Sequence, residues 1–147
     1  MQTDIPRIQK IADAKAFFGE IKNPNAQAMV KKENCGDLSG MQLRIDGGVV
    51  REAGYVSYGC GYNLAAHSII CGLVKDKTLD QARALRAEDV NAEAGGFPDH
   101  KFHYATQVIE LLQKTLDFYD EQQRKAPVSL DKSKFDENRE VKCGWTE

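Results

Sequence analysis

Long apolar runs and a surplus of one charge are both missing from this chain of 147 residues. Its 20 lysine and arginine residues against 22 aspartate and glutamate residues give a formal net charge of −2. Because the basic residues are scattered, no basic patch for a nucleic-acid partner is expected. No stretch approaches the roughly 20 apolar residues of a membrane span, and the N-terminus lacks the apolar core of a secretion signal. We therefore expect a cytoplasmic protein without membrane contact.

Cysteine and histidine are scarce, with four and three residues. Four cysteines without a secretion signal are more typical of reduced thiols or metal ligands than of a disulfide framework. The positions of these few residues are therefore informative. They are Cys35, Cys60, Cys71, Cys143, His67, His100 and His103.

Residue periodicity divides the chain into a domain and a tail. Apolar spacing predicts helices in residues 4–20, 62–74 and 99–124, and alternation around the glycine pair of "MQLRIDGGVVREAGYVSYG" predicts a β-hairpin. Strands followed by helices indicate an α+β fold, with a small antiparallel sheet packed by helices. Residues 126–147 are polar and aperiodic. We predict a domain over residues 1–125 and a loosely held tail over 126–147.

Two short segments contain a cysteine that could bind a metal or react, judged from the neighbouring residues alone. In "ENCGDLSG", Cys35 and Asp37 flank a glycine, and a thiolate and a carboxylate from one tight loop can hold iron or zinc. A turn with an incidental cysteine is the alternative.

In "VSYGCGYN", Cys60 lies between two glycines at the predicted strand-to-helix junction, where the helix N-terminus favours a thiolate. A reactive or ligating cysteine and a small turn residue fit this position equally well.

The segment "FPDHKFHYATQ" begins the longest predicted helix. An advance of about 100° per residue turns His103 away from the apolar stripe that starts at Phe102, so His103 is not a core histidine. Tyr104 falls at the edge of that stripe. A solvated surface histidine is the alternative for His103, and more strongly for His100, which precedes the helix.

The remaining thiol and imidazole groups fit structural roles better. His67 and Cys71 are four residues apart in an apolar helix, a spacing that can present two metal ligands on one face. They lack a third partner. We therefore predict a buried His67 bonded to a backbone carbonyl and a Cys71 that packs as a small hydrophobe. Cys143 is predicted to be an exposed thiol, although the tail could bring it to a metal.

Taken in order, these segments resemble a known family. "NPN", "CGD", "GCG" before an Ala/Ser-rich helix, "VKDKTLDQA" and "FPDHKFHY" are similar to iron–sulfur cluster assembly scaffolds of the IscU and NifU N-terminal domain type, collinear over about residues 10–122. The resemblance implies a SufE/NifU (IscU-like) fold, whose small antiparallel sheet has about three strands. It also implies a scaffold that receives sulfur from a cysteine desulfurase, binds iron or zinc, and builds a transient cluster for acceptor proteins, with a chaperone as a further partner.

The same resemblance assigns roles at the metal pocket to several residues. They are Cys35, Asp37, Cys60, Lys101 and His103. Tyr104 stands where the family has its third cysteine, so one thiolate is missing, and His67 replaces a small residue. The predicted ligands that remain are Cys35, Asp37, Cys60 and His103, for a labile cluster or a single Fe²⁺ or Zn²⁺. A Tyr104 phenolate is a less natural ligand, because the metal must lower a pKa near 10.

We expect a scaffold rather than an enzyme. The leading alternative is an interaction protein of the same fold that binds zinc or docks a cysteine desulfurase without assembling clusters. A thiol enzyme with Cys60 as nucleophile and His103 as base is the third interpretation, which the lack of an evident substrate pocket in the sequence makes the weakest.

Overall fold

A computed structural model describes residues 3–32 and 37–125 of the chain. The elements in chain order are α1 (Ile5–Ala14), β1 (Ala26–Lys32), β2 (Asp37–Asp46), β3 (Val49–Ser57), α2 (Gly61–Val74), α3 (Leu79–Arg83), α4 (Ala87–Ala94), a 3₁₀ turn (Asp99–Lys101) and α5 (His103–Lys125). Cys35, Cys143 and the predicted tail lie outside the described residues.

The three strands form one antiparallel sheet in the order β1-β2-β3. The predicted hairpin is confirmed as β2 and β3, whose turn is Gly47 and Gly48 with φ of 60° and 76°. Positive φ at both turn residues produces a twist that matches the strands, and glycine accepts it without steric cost. Alternate residues face the core, as in the pair Met41 and Tyr55, both 1% exposed.

Strand β1 lies in a stretch for which the residue pattern alone predicted no strand. Its core-facing positions are Ala26, Ala28 and Val30, paired with Leu43, Met41 and Ser39 of β2. Two of these three side chains are alanines, so the alternation of apolar and polar residues is weak in the sequence. The extended conformation of β1 is therefore stabilised by its pairing with β2 rather than by its local sequence pattern.

The first helix ends earlier than residue 20, where its predicted span ended. Lys15 adopts a left-handed conformation with φ of 50° and ends α1, and Phe17 follows with φ of 68°. The chain then runs beside the outer edge of β3, where residues 17–19 exchange two hydrogen bonds with Tyr55. Further along the same edge, Val50 bonds residues 76–77.

Helices α2 and α5 cover one face of the sheet, with α2 against β3 and α5 against β1. The core between them is apolar, and the α5 residues that it buries recur at three and four positions. They are Ala105, Val108, Leu111, Leu112 and Leu116. The predicted α+β architecture is therefore confirmed. In the described residues, every helix is too short or too polar to cross a membrane.

Candidate functional site

Cys60 lies at the junction of β3 and α2, as the residue immediately before the first turn of the helix. Its backbone is extended, with φ of −75° and ψ of 177°, and its side chain is exposed. In the described part of the chain this thiol is not used to cap the helix. The sulfur is therefore presented outward at the positive end of the α2 dipole.

Tyr104 approaches Cys60 from a segment 44 residues away. The Sγ atom of Cys60 lies 3.3 Å from the Tyr104 hydroxyl oxygen, within hydrogen-bond reach for sulfur. The tyrosine is only 8% exposed, so its ring packs in the core while its hydroxyl reaches the site. The sequence left open whether Tyr104 faces the core or the site, and the structure shows that it contacts both.

Two further predicted residues surround the Tyr104 ring. The His103 and Tyr104 rings lie 4.1 Å apart between centroids, and the His103 side chain is exposed. The Lys101 ammonium lies 5.8 Å from the Tyr104 ring centroid and 5.4 Å from that of Tyr62. These distances permit cation–π attraction. The start of α5 thus places an imidazole and an ammonium beside the phenol that contacts the Cys60 thiol.

The backbone at Asp37, one of the predicted ligands, lies at the same end of the sheet as the Cys60 loop. Asp37 is the first residue of β2, and its backbone pairs with Lys32 at the end of β1. The Tyr58 N–H, two residues before Cys60, donates to the Leu38 carbonyl at 3.1 Å. The strand start at Asp37 therefore lies beside the loop that carries Cys60. Cys35 itself falls in residues 33–36, outside the described chain.

A buried polar contact supports the Cys60 loop from within the domain. The Ser57 hydroxyl donates to the Asn63 side-chain oxygen at 3.0 Å and accepts from the Gly59 N–H at 3.3 Å. Asn63 is 0% exposed and Ser57 is 4% exposed. Sequence reasoning missed both residues. The available signal was an asparagine at the start of the largely apolar stretch "YNLAAHSIICGLV".

His67 and Cys71 are buried in the middle of α2, as predicted. The His67 Nδ1–H donates to the Asn63 carbonyl at 2.8 Å, and its ring stacks on Tyr55 with centroids 5.4 Å apart. Burial lowers the pKa of His67 to about 4, so the ring is neutral near pH 7. Burial likewise raises the pKa of the Cys71 thiol. Both predictions of a structural role are confirmed.

The donor set of the described chain is poor in sulfur. Among these residues, no group of three or more histidine, cysteine, aspartate or glutamate side chains is arranged to hold a metal ion. At Cys60 the neighbouring groups are a phenol, an imidazole and an ammonium. Bridged iron–sulfur clusters need several thiolates, whereas a single iron or zinc ion accepts mixed donors. The described residues at this end of the sheet supply one exposed thiol, which is fewer than a bridged cluster needs.

The family of the chain follows from a comparison with known domains. Residues 9–126 match the NifU-like N terminal domain. The chain belongs to this family. The match confirms the expected membership in the IscU and NifU N-terminal type and covers every described element from the second half of α1 onward.

Individual relatives of this NifU-like domain support the assignment. The iron-sulfur cluster assembly scaffold protein IscU of Escherichia coli K12 is 37% identical over 76 residues, which cover 51% of this chain and 59% of that protein. The iron-sulfur cluster assembly protein IscU of Plasmodium falciparum 3D7 is 29% identical over 94 residues, covering 64% and 57% respectively. The chain thus spans somewhat more than half the length of these relatives.

A solved structure shows the same fold. The N-terminal NifU-like protein of Brucella abortus superposes with a TM-score of 0.63 at 22% identity, covering 78% of this chain and 92% of that one. At this level of identity the similarity concerns the fold. It confirms that the three-stranded sheet with helices on one face is the NifU-like architecture.

Proposed function

We propose that this NifU-like domain acts as a scaffold in iron–sulfur cluster assembly, holding iron or a labile cluster at the end of the sheet where Cys60 lies. The supporting observation is the contact between the Cys60 sulfur and the Tyr104 hydroxyl at 3.3 Å. This contact joins the two motif segments "GCG" and "KFHY" at one position, although they are far apart in sequence.

In this proposal the metal ligands are Cys35, Asp37, Cys60 and His103. Cys60 offers an exposed sulfur, and His103 offers an exposed imidazole beside the Tyr104 ring. The Asp37 backbone begins β2 next to the Cys60 loop. Thiolate, carboxylate and imidazole together are a donor set that both iron and zinc accept.

Lys101 and Tyr104 have supporting roles at the same position. The Lys101 ammonium contributes positive charge close to the Tyr104 ring, which suits incoming sulfide or a negatively charged cluster. The Tyr104 hydroxyl lies 3.3 Å from the Cys60 sulfur, and the family resemblance places a third cysteine at position 104. We propose that this substitution makes any bound cluster labile.

The proposal implies partners that supply and receive the cargo. Sulfur comes from a cysteine desulfurase, and the cluster passes to acceptor proteins with or without a chaperone, in the cytoplasm. Cys60 is then a ligand and sulfur acceptor, not a nucleophile that turns over a substrate. Its hydrogen-bond partner supports this role, because a neutral tyrosine hydroxyl is a poor acceptor of the thiol proton compared with the imidazole or carboxylate that usually activates a catalytic thiol.

A second function is favoured by the single exposed thiol that the described residues supply and by the tyrosine at position 104. A site with a phenol in place of a thiolate suits one Zn²⁺ ion better than a bridged cluster. The domain would then bind zinc, or dock a desulfurase, without assembling clusters.

Metal analysis after anaerobic purification distinguishes these functions. A scaffold gives visible cluster absorption after incubation with iron, cysteine and a desulfurase, together with transfer to an apo-ferredoxin. Stoichiometric zinc without cluster formation would replace the first proposal with the second. Protein that binds neither iron nor zinc, with a Cys60 sensitive to alkylation, would contradict both and favour the thiol enzyme.

A further inference from the structure

The loop that carries Cys60 is only three residues long, between the last residue of β3 and the first of α2. Both residues that precede Cys60 in this loop have their N–H groups bound. The Tyr58 N–H donates to the Leu38 carbonyl, and the Gly59 N–H donates to the Ser57 hydroxyl. The path of the loop is therefore set by a strand on one side and by Ser57 on the other.

Ser57 is in turn oriented by Asn63. The serine hydroxyl has one proton, which it donates to the Asn63 side-chain oxygen at 3.0 Å, so its lone pairs remain for the Gly59 N–H. Burying two polar side chains is costly unless they are hydrogen-bonded, and this arrangement bonds both. The direction of the Ser57 hydroxyl thus depends on Asn63.

The Asn63 amide also fits directly against the loop. A Cβ atom at Gly59 would lie 2.3 Å from the Asn63 side-chain nitrogen, closer than any unstrained contact. The Asn63 backbone carbonyl accepts the His67 Nδ1–H at 2.8 Å one turn later. The loop therefore packs on an amide that is held at both its side chain and its backbone.

We propose that Asn63 and Ser57 are positioning residues that fix the Cys60 thiol opposite Tyr104 and thereby set the metal affinity of the site. The effect on affinity rests on the proposed function, in which Cys60 is a ligand, whereas the effect on the loop does not. Residues that support metal ligands typically change affinity by about 10- to 100-fold when they are altered. We expect that range for Ser57→Ala and Asn63→Ala.

The chain offers a matched control in Ser68. This serine is also 4% exposed and makes two hydrogen bonds, to the Tyr55 hydroxyl at 2.8 Å and the Ala16 carbonyl at 2.9 Å. It lies on α2 but bonds neither the Cys60 loop nor Asn63 in the described contacts. Ser68→Ala therefore removes similar bonds and leaves the placement of Cys60 unchanged.

The first measurement is a titration of the full-length chain with Co²⁺, whose thiolate charge-transfer absorption reports coordination by cysteine. We expect Ser57→Ala and Asn63→Ala to weaken Co²⁺ binding. The double variant should lose no more affinity than the single variant with the larger loss, because both substitutions remove the same contact. Ser57→Thr, which keeps the hydroxyl, and Ser68→Ala should bind as the parent does. Equal Co²⁺ affinity for Ser57→Ala and Ser68→Ala would overturn the proposed effect on metal binding.

The second measurement needs no metal. Hydrogen exchange of the full chain in a chelator, followed by mass spectrometry, reports the Tyr58 and Gly59 amides. Ser57→Ala and Asn63→Ala should accelerate exchange there by roughly two- to tenfold, the effect of about one hydrogen bond, while Ser68→Ala should not. Unchanged exchange in this loop would overturn the positioning role. If Cys60→Ala bound Co²⁺ as tightly as the parent, the proposed function would be overturned. The exchange result would still decide whether Ser57 and Asn63 position the loop.

Discussion

The two ends of α2 contain the same residue type in opposite surroundings. Cys60 stands immediately before the helix, with an exposed side chain and a phenol as its neighbour. Cys71, near the other end, is 0% exposed, and burial raises its thiol pKa. Only a thiolate binds metal or accepts sulfur, and a buried apolar environment disfavours it. The comparison shows that location on the helix, not residue type, distinguishes the candidate ligand from the core residue.

The imidazoles repeat this contrast. His67 is buried against Tyr55 with one nitrogen bound to a backbone carbonyl, and its Nε2 atom has no hydrogen-bond partner among the described residues. His103 is exposed beside the candidate site. His67 therefore affects the stability of the fold at low pH, whereas His103 is available to a ligand.

The largest expected effect is on metal binding. Cys60→Ala and Cys35→Ala should each abolish tight binding of iron or zinc, because each removes one of the two proposed thiolate ligands. Cys71→Ala should retain the metal, because its sulfur is buried in the core. Metal content after anaerobic purification, with a chelator competition, tests this contrast. Equal losses in all three variants would show that the metal binds elsewhere.

The next effect concerns acid stability. His67 has a pKa of about 4 in the folded chain against about 6.5 when unfolded, so the unfolded state takes up the proton first. The contribution of neutral His67 is fully present above pH 6.5 and is lost as the pH falls toward 4. A difference of this size corresponds to about 3 kcal/mol in the free energy of unfolding.

Urea unfolding at pH 7 and pH 4.5 measures this contribution. His67→Gln should lose less stability between the two pH values than the parent, because glutamine does not titrate. His103→Gln is the matched control at an exposed position and should retain the parental difference. If His67→Gln lost as much stability between pH 7 and pH 4.5 as the parent, the acid sensitivity would come from other groups.

A smaller effect is expected at Tyr104. Tyr104→Cys provides a sulfur donor beside His103, so a reconstituted cluster should decay more slowly against a chelator than in the parent. The lost aromatic packing should lower the stability of the metal-free chain by up to about 3 kcal/mol. Tyr104→Phe keeps the ring without the hydroxyl and serves as the control. Normal folding of Tyr104→Cys with unaltered cluster decay would show that residue 104 does not face the cargo.

The smallest effect is predicted for the tail. A chain truncated after Arg124 should keep its metal content and its thermal unfolding temperature, if Cys143 is only a solvated thiol. The truncated and full-length proteins are compared after the same anaerobic preparation. Loss of metal on truncation would show that Cys143 supplies the missing thiolate.

The sequence predicted those parts of the fold that depend on local pattern. The glycine turn at Gly47 and Gly48 and the periodicity of α5 specify their elements by themselves. Strand β1 was missed because alanines occupy two of its core positions, and its conformation comes from pairing with β2. The bend after Lys15 was missed because Phe17 adopts a positive φ that no local signal required.

The candidate site divides in the same way. The glycines around Cys60 and the helical phase of His103 singled out both residues, and the family resemblance brought their segments together. The contact of Tyr104 with Cys60 depends on how α5 packs against α2, which no spacing rule contains. Ser57 and Asn63 were missed for a similar reason, because their contact becomes visible only once the chain reverses between β3 and α2.

The segments that cover β3 determine how this domain can meet other chains. An open strand edge is a template for aggregation, because another strand can hydrogen-bond to it. Here Tyr55 exchanges hydrogen bonds of 2.7 and 3.0 Å with residues 17–19, and Val50 exchanges bonds of 2.7 and 2.9 Å with residues 76–77. The domain therefore covers this edge near both of its ends with its own backbone. A strand from another chain would find fewer free backbone groups along β3 than an uncovered edge offers.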